Sequence, residues 1–172
     1  MKRILFVLFL SIISVASAMA GLQSVEPKLG VAFASVSQGD FKSEQTGAII
    51  GIQLNFENVF LHAAYVDEFD LHSEVRDTTY VKNSMINVAI GLPYKIHNRW
   101  KLYGMLGYES WETEHYFWNS YVGSDSGVTP WVAFGAEFSP FWKVRLMPQI
   151  EVHQDVGGSR MTLMTFLLGL EF

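Results

Sequence analysis

Between Lys143 and His153 the side chains change character at every step. Lys143, Arg145, Met147, Gln149, Glu151 and His153 form one row, and Val144, Leu146, Pro148, Ile150 and Val152 the other. Successive side chains of an extended strand point to opposite sides, so this segment predicts a strand with one charged face and one apolar face. Pro148 interrupts the apolar row and lacks an N–H, which predicts a local irregularity in the ladder. The same period recurs in seven further segments: Lys28–Ser37, Thr46–Phe56, Val59–Asp67, Ser84–Ile96, Trp100 to about Thr113, Thr129–Ser139 and Met161–Phe172. Little of the chain shows a 3.6-residue rhythm, so the expected class is all-β.

The connections alternate in length. Short turns are expected at Glu57-Asn58, His97-Asn98 and Pro140-Phe141. Longer polar loops are expected at Gln38–Gln45, Glu68–Asn83, Glu114–Val128 and Gln154–Arg160. Tight turns on one rim and long loops on the other fit an up-and-down barrel threaded through a membrane, and an even strand number puts both ends of the sheet on the short-turn side. A secreted soluble barrel shares the periodicity but would hide its apolar row. Aromatic residues weigh toward the membrane. Phe56, Phe60, Tyr94, Trp100, Phe141 and Trp142 fall near the short turns, and Tyr65, Trp111, Trp118 and Trp131 towards the loops. They are expected to form two interfacial girdles.

The N-terminus supports export. Lys2 and Arg3 precede an apolar core, Ile4–Ile13, followed by Ala16-Ser17-Ala18 and Ala18-Met19-Ala20. This reads as a signal peptide over residues 1–20, with the mature chain starting at Gly21 or Met19; the core is too short for a comfortable membrane helix, which argues against an uncleaved anchor. Residues 21–172 are read as one barrel domain with no separate soluble domain. They carry 10 basic and 17 acidic side chains. That acidity excludes nucleic acid as a partner, because phosphate binding needs basic clusters. The chain has no cysteine, so neither disulfides nor thiolate metal sites are available.

In its ending the chain resembles a known group. Met164, Phe166, Leu168, Leu170 and Phe172 alternate to a terminal aromatic residue. Together with the export signal and the eight segments, this resembles the small eight-stranded outer-membrane barrels of Gram-negative bacteria, the OmpA membrane domain and OmpX-like group. The resemblance implies an eight-stranded antiparallel transmembrane β-barrel, with Phe166, Leu168, Leu170 and Phe172 as the signal read by the barrel-assembly machinery. It also implies contact with outer-membrane lipid and lipopolysaccharide, a monomer, and a role in adhesion to a host or surface ligand or in envelope integrity.

Following the polar rows inward gives a candidate interior network of Lys28, His62, Asn87, Lys95, Lys101, Glu109, Glu137, Lys143, Arg145, Gln149, Glu151 and His153, with Gln53 and Asn55 beside it. Eight strands leave room only for side chains, so opposite charges should pair and plug the lumen. A narrow channel is the first alternative and a lipid A-modifying enzyme the second. The only adjacent Ser, His and acid are His72-Ser73-Glu74, and neighbours on an extended chain point apart, so no catalytic residue is assigned. Glu68, Asp70, Glu74 and Asp77 do not follow a calcium-loop spacing, and no metal or cofactor is expected. The best candidate contact residues are Tyr116, Phe117, Trp118 and Tyr121.

Overall fold

The computed structural model describes residues 21–38, 41–72, 79–118, 120–156 and 159–172. They form β1 (Ser24–Gln38), β2 (Phe41–Asn55), β3 (Phe60–His72), β4 (Thr79–His97), β5 (Trp100–Phe117), β6 (Ser120–Phe141), β7 (Val144–Val156) and β8 (Ser159–Leu170). Each strand pairs antiparallel with the next, and β8 returns to β1 to close the barrel. The closing register runs from Lys28↔Gly169 to Ser37↔Arg160. Below it, Val25 N donates to Phe172 O at 3.2 Å and Phe172 N to Val25 O at 3.0 Å. The expected pairing of the last strand with the first is therefore present, and no sheet edge is left along this seam.

The outward row is the apolar one. Leu92 is 64 % exposed and Phe134 71 %, and Leu29, Val31, Ile50, Ile90, Leu106, Phe166 and Leu168 also face outward. Such a continuous apolar girth belongs in hydrocarbon and not in water. Along β4 it runs from Val88 to Leu92 and ends in the rim residues Tyr94 and Ile96. About nine residues at ~3.3 Å each, tilted by about 40°, give roughly 23 Å of height, close to the ~25 Å band of outer-membrane barrels.

Four expectations are corrected. First, the long polar loops are mostly strand. β5 has 18 residues and β6 has 22, about twice the 9–11 that a span requires, and they pair up to Phe117↔Ser120. The loops misread as irregular lie beyond the hydrocarbon. There both faces of a hairpin meet water, so alternation ends while the backbone ladder continues. Second, β6 runs on to Phe141, so the tight turn is Trp142-Lys143 rather than Pro140-Phe141. Third, Phe60, Trp111 and Trp131 are 3 %, 8 % and 1 % exposed. They share strand parity with His62, Glu109 and Thr129, and so turn into the lumen instead of joining a girdle. Tyr94, Trp100, Phe141 and Trp142 do stand exposed at the short-turn rim.

Fourth, the apolar part of the lumen extends well beyond the inward Leu163 and Leu167 of the last strand. Ala32, Ile49, Val66, Met85, Met105, Met147, Leu163 and Leu167 form one buried apolar cluster with the inward aromatics. These chains fill space without needing polar partners, so they separate the charged groups into discrete sets. Glycines make room for the rings. Tyr103 faces Gly135 and Trp111 faces Gly127 across β5–β6, and Phe60 faces Gly91 across β3–β4. A Cβ on Gly91 would lie 2.0 Å from Phe60 Cζ.

The irregularity expected at Pro148 falls on one side only. β7 pairs with β8 straight through Pro148↔Phe166. Its register with β6 skips from Gly135↔Gln149 to Phe138↔Leu146, as befits a residue with no N–H to offer.

Candidate functional site

Two polar sets occupy the lumen. In the one nearer the short turns, β1 brings Ser24, Glu26 and Lys28 inward at alternate positions, opposite Asn55, Gln53 and Gly51 of β2. Lys28 Nζ donates to Gln53 Oε1, and Gln53 Nε2 donates to Asn55 Oδ1 at 2.7 Å. Asn55 Nδ2 then donates to Glu26 Oε1 at 2.9 Å. Across the barrel, Glu137 Oε1 lies 3.0 Å from Lys101 Nζ and 3.2 Å from Arg145 Nε. Arg145 also donates to Glu171. Three carboxylates and three cations are thus matched within one layer, which is what low-dielectric burial demands.

The second set surrounds His153. Its Nδ1 is 2.5 Å from Glu109 Oε2 and its Nε2 is 3.2 Å from Glu151 Oε2, with all three side chains 0–2 % exposed. With a carboxylate facing each ring nitrogen, an imidazolium hydrogen-bonded through Nδ1 and ion-paired through Nε2 satisfies the arrangement. Supporting donors hold the carboxylates. Thr129 Oγ1 donates to Glu109 Oε1 at 2.9 Å, and Gln149 Nε2 donates to Glu151 Oε1 at 2.7 Å. Tyr103 Oη donates to Gln149 Oε1 at 2.9 Å. The Trp131 ring lies flat on the imidazole, with centroids 5.6 Å apart at 11°.

The structure buries Lys28, His62, Asn87, Glu109, Glu137, Gln149, Glu151 and His153, with Arg145 and Lys101 partly buried beside them. Two residues of the expected network leave it. Lys143 is exposed in the β6–β7 turn, because β6 is longer than its alternation shows; its Nζ lies 5.2 Å from the Trp142 ring and 5.9 Å from that of Phe172. Lys95 is exposed at the rim of β4, directly opposite Lys101 in register. Sequence reasoning missed Ser24 and Glu26, which precede the expected start of the first strand, and Tyr103, whose parity with Lys101 could have placed it. Among the described residues no group of three or more His, Asp or Glu is set to hold a metal. The side chains of Glu68, Asp70, His72, Ser73, Glu74 and Asp77 lie outside the described residues.

The other candidate is the β5–β6 hairpin. Tyr116 pairs with Tyr121, their rings edge to face at 5.9 Å. Phe117 meets Trp118 edge to face at 6.3 Å. Lys82 Nζ of β4 lies 5.9 Å from the Tyr116 ring centroid, and Tyr116 Oη donates to Glu114 Oε2 at 2.7 Å. Phe117, Trp118 and Tyr121 are 48 %, 70 % and 58 % exposed. Trp118 sits in the turn with φ +50°, a left-handed conformation that a bulky side chain rarely adopts.

Comparison with known proteins agrees with this architecture. The sequence profile described as "Outer membrane protein beta-barrel domain" matches residues 5–170. Among solved structures, Neisserial surface protein A (NspA) superposes with a TM-score of 0.76 at 13% identity, covering 89% of this chain and 100% of that one. Ail, the attachment invasion locus protein of Yersinia pestis, gives 0.66 at 15% identity, covering 90% and 100%. The N-terminal β-barrel domain of Pseudomonas aeruginosa OprF gives 0.59 at 13%, covering 89% and 100%. No curated protein sequence matches the chain.

Proposed function

Because this chain belongs to the outer membrane β-barrel family, we propose that it is a plugged barrel of the Gram-negative outer membrane that acts through its extracellular hairpins in surface interaction or adhesion. Residues 1–20 are, in this reading, removed on export. Lipopolysaccharide and the assembly machinery are its envelope partners, the latter reading Phe166, Leu168, Leu170 and Phe172.

The observation that carries the adhesive reading is the tip of the β5–β6 hairpin. Exposed aromatic rings supply large contact area at low entropic cost and dominate the energetics of many interfaces. Keeping a tryptophan at φ +50°, where glycine or asparagine would be unstrained, points to a use for that ring outside the fold. One structural neighbour, Ail, was solved with the heparin analogue sucrose octasulfate. The hairpin here offers different chemistry. Residues 110–128 contain Glu112, Glu114, Asp125 and His115 but no lysine or arginine, so this tip favours a neutral or basic surface over a sulfated one.

The test is adherence of cells displaying the protein to an epithelial monolayer. Trp118→Gly combined with Tyr121→Ser is expected to lower adherence to that of cells lacking the protein. The barrel itself should keep its heat-modifiable mobility in SDS, since glycine relieves the left-handed residue. Undiminished adherence would remove the hairpin from the proposal.

A plugged lumen makes a second expectation. In planar bilayers the purified barrel should give no stable, reproducible conductance, because its lumen is filled by the apolar cluster and the two ion-paired sets. Steady unitary currents would favour the narrow-channel reading instead.

A further inference from the structure

The geometry points to a headgroup site for anionic phospholipid on the periplasmic rim, between the β4–β5 and β6–β7 turns. Lys95, His97, Arg99 and Lys143 all stand exposed there. The two turns are neighbours held in fixed relation. Ser139 N donates to Arg99 O at 3.0 Å, and the Trp100 and Phe138 rings stack with centroids 4.5 Å apart.

Among the described residues, the rim's glutamates do not pair with these cations. Glu137 is taken by Lys101 and Arg145, and Glu171 by Arg145. Glu57 lies on the separate β2–β3 turn. Lys95 faces Lys101 directly in the β4–β5 register, a like-charge pair that disfavours the folded sheet. Lys101 resolves its side by turning in to Glu137. Lys95, on the same face but at the open mouth of the barrel, stands exposed, where an external anion would complete the arrangement.

The surroundings identify the anion. Tyr94, Phe141 and Trp142 are 71–87 % exposed, and such rings settle at headgroup depth. Immediately farther into the membrane lie Leu92, Leu102, Phe134 and Leu146, also exposed. Cations, then aromatic rings, then an apolar wall is the order of phosphate, glycerol ester and acyl chain in a phospholipid. Basic residues just outside a span attract anionic lipid in the same way. On the opposite rim, the protruding β5–β6 hairpin carries acids and no Lys or Arg.

The test uses the full barrel in nanodiscs of phosphatidylcholine containing a minor fraction of phosphatidylglycerol, with retained lipid counted by native mass spectrometry. The wild type should retain phosphatidylglycerol in preference to phosphatidylcholine. The triple substitution Lys95→Gln, Arg99→Gln, Lys143→Gln should reduce that preference at least tenfold, while Lys95→Arg with Lys143→Arg should keep it. Lys82→Gln with Arg160→Gln, on the far rim, should also leave it intact. Equal retention of the two lipids by the wild type would overturn the proposal, as would a triple variant that still prefers phosphatidylglycerol. Displacement of the lipid by inorganic phosphate alone would mark a simple phosphate site and would overturn it too.

Discussion

Replacing His153 with leucine is expected to destabilise the barrel by about 3–5 kcal/mol, the usual cost of leaving buried charges without their partner. The imidazole lies between Glu109 at 2.5 Å and Glu151 at 3.2 Å. Leucine would leave two carboxylates facing each other across an apolar gap. The measurement is the urea midpoint for loss of the folded, heat-modifiable band in phospholipid vesicles. Adding Glu109→Gln and Glu151→Gln to His153→Leu should recover much of the loss, because residues in one network are strongly non-additive. A His153→Leu barrel as stable as wild type would show that the set is not held together by charge.

Gly107→Val should prevent folding altogether. Gly107 sits on β5 between Ala89 of β4 and Trp131 of β6. A Cβ there would lie 2.1 Å from Val88 O and 2.7 Å from Ala89 Cβ. Those are backbone atoms and the stub of an alanine, which cannot swing aside as the end of a long side chain can. Even Gly107→Ala should cost about 1–3 kcal/mol by overpacking. Gly123→Ala is the internal contrast: a Cβ at that position meets nothing within 4 Å, so its effect should stay within about 0.5 kcal/mol. A folded Gly107→Val barrel would mean that β4 and β5 can separate locally.

Which parts of this molecule can be read from its letters follows from where the solvent changes. Inside the hydrocarbon, lipid demands apolar side chains at every second position, and Leu102, Leu106, Ile150 and Val152 declare their strands without ambiguity. Beyond it the demand disappears. Residues 114–117 and 120–128 therefore look like loop, although they continue the β5–β6 ladder. Interior polar residues such as Glu109, Glu151 and His153 were legible one at a time because each shares parity with its strand. That these three converge was not legible, because it depends on the register of β5 against β6 and of β6 against β7 around a closed ring. Lys143 shows the opposite failure. It continues the alternation of Arg145 and Met147 perfectly, yet the turn reaches it first.

The contrast between the two faces of each strand also governs how such a protein can change over generations. An outward position asks only a yes-or-no question of its residue, whether it is apolar, and leucine, valine, isoleucine or phenylalanine all answer yes. An inward position such as Gly107, Trp131 or His153 accepts almost nothing but what it has, because volume and charge are settled there jointly with neighbours on other strands. Roughly half of each membrane-spanning strand is therefore free to drift, and the other half can move only in concert. Barrels of this architecture can lose almost all visible likeness in their letters while the ring of strands persists.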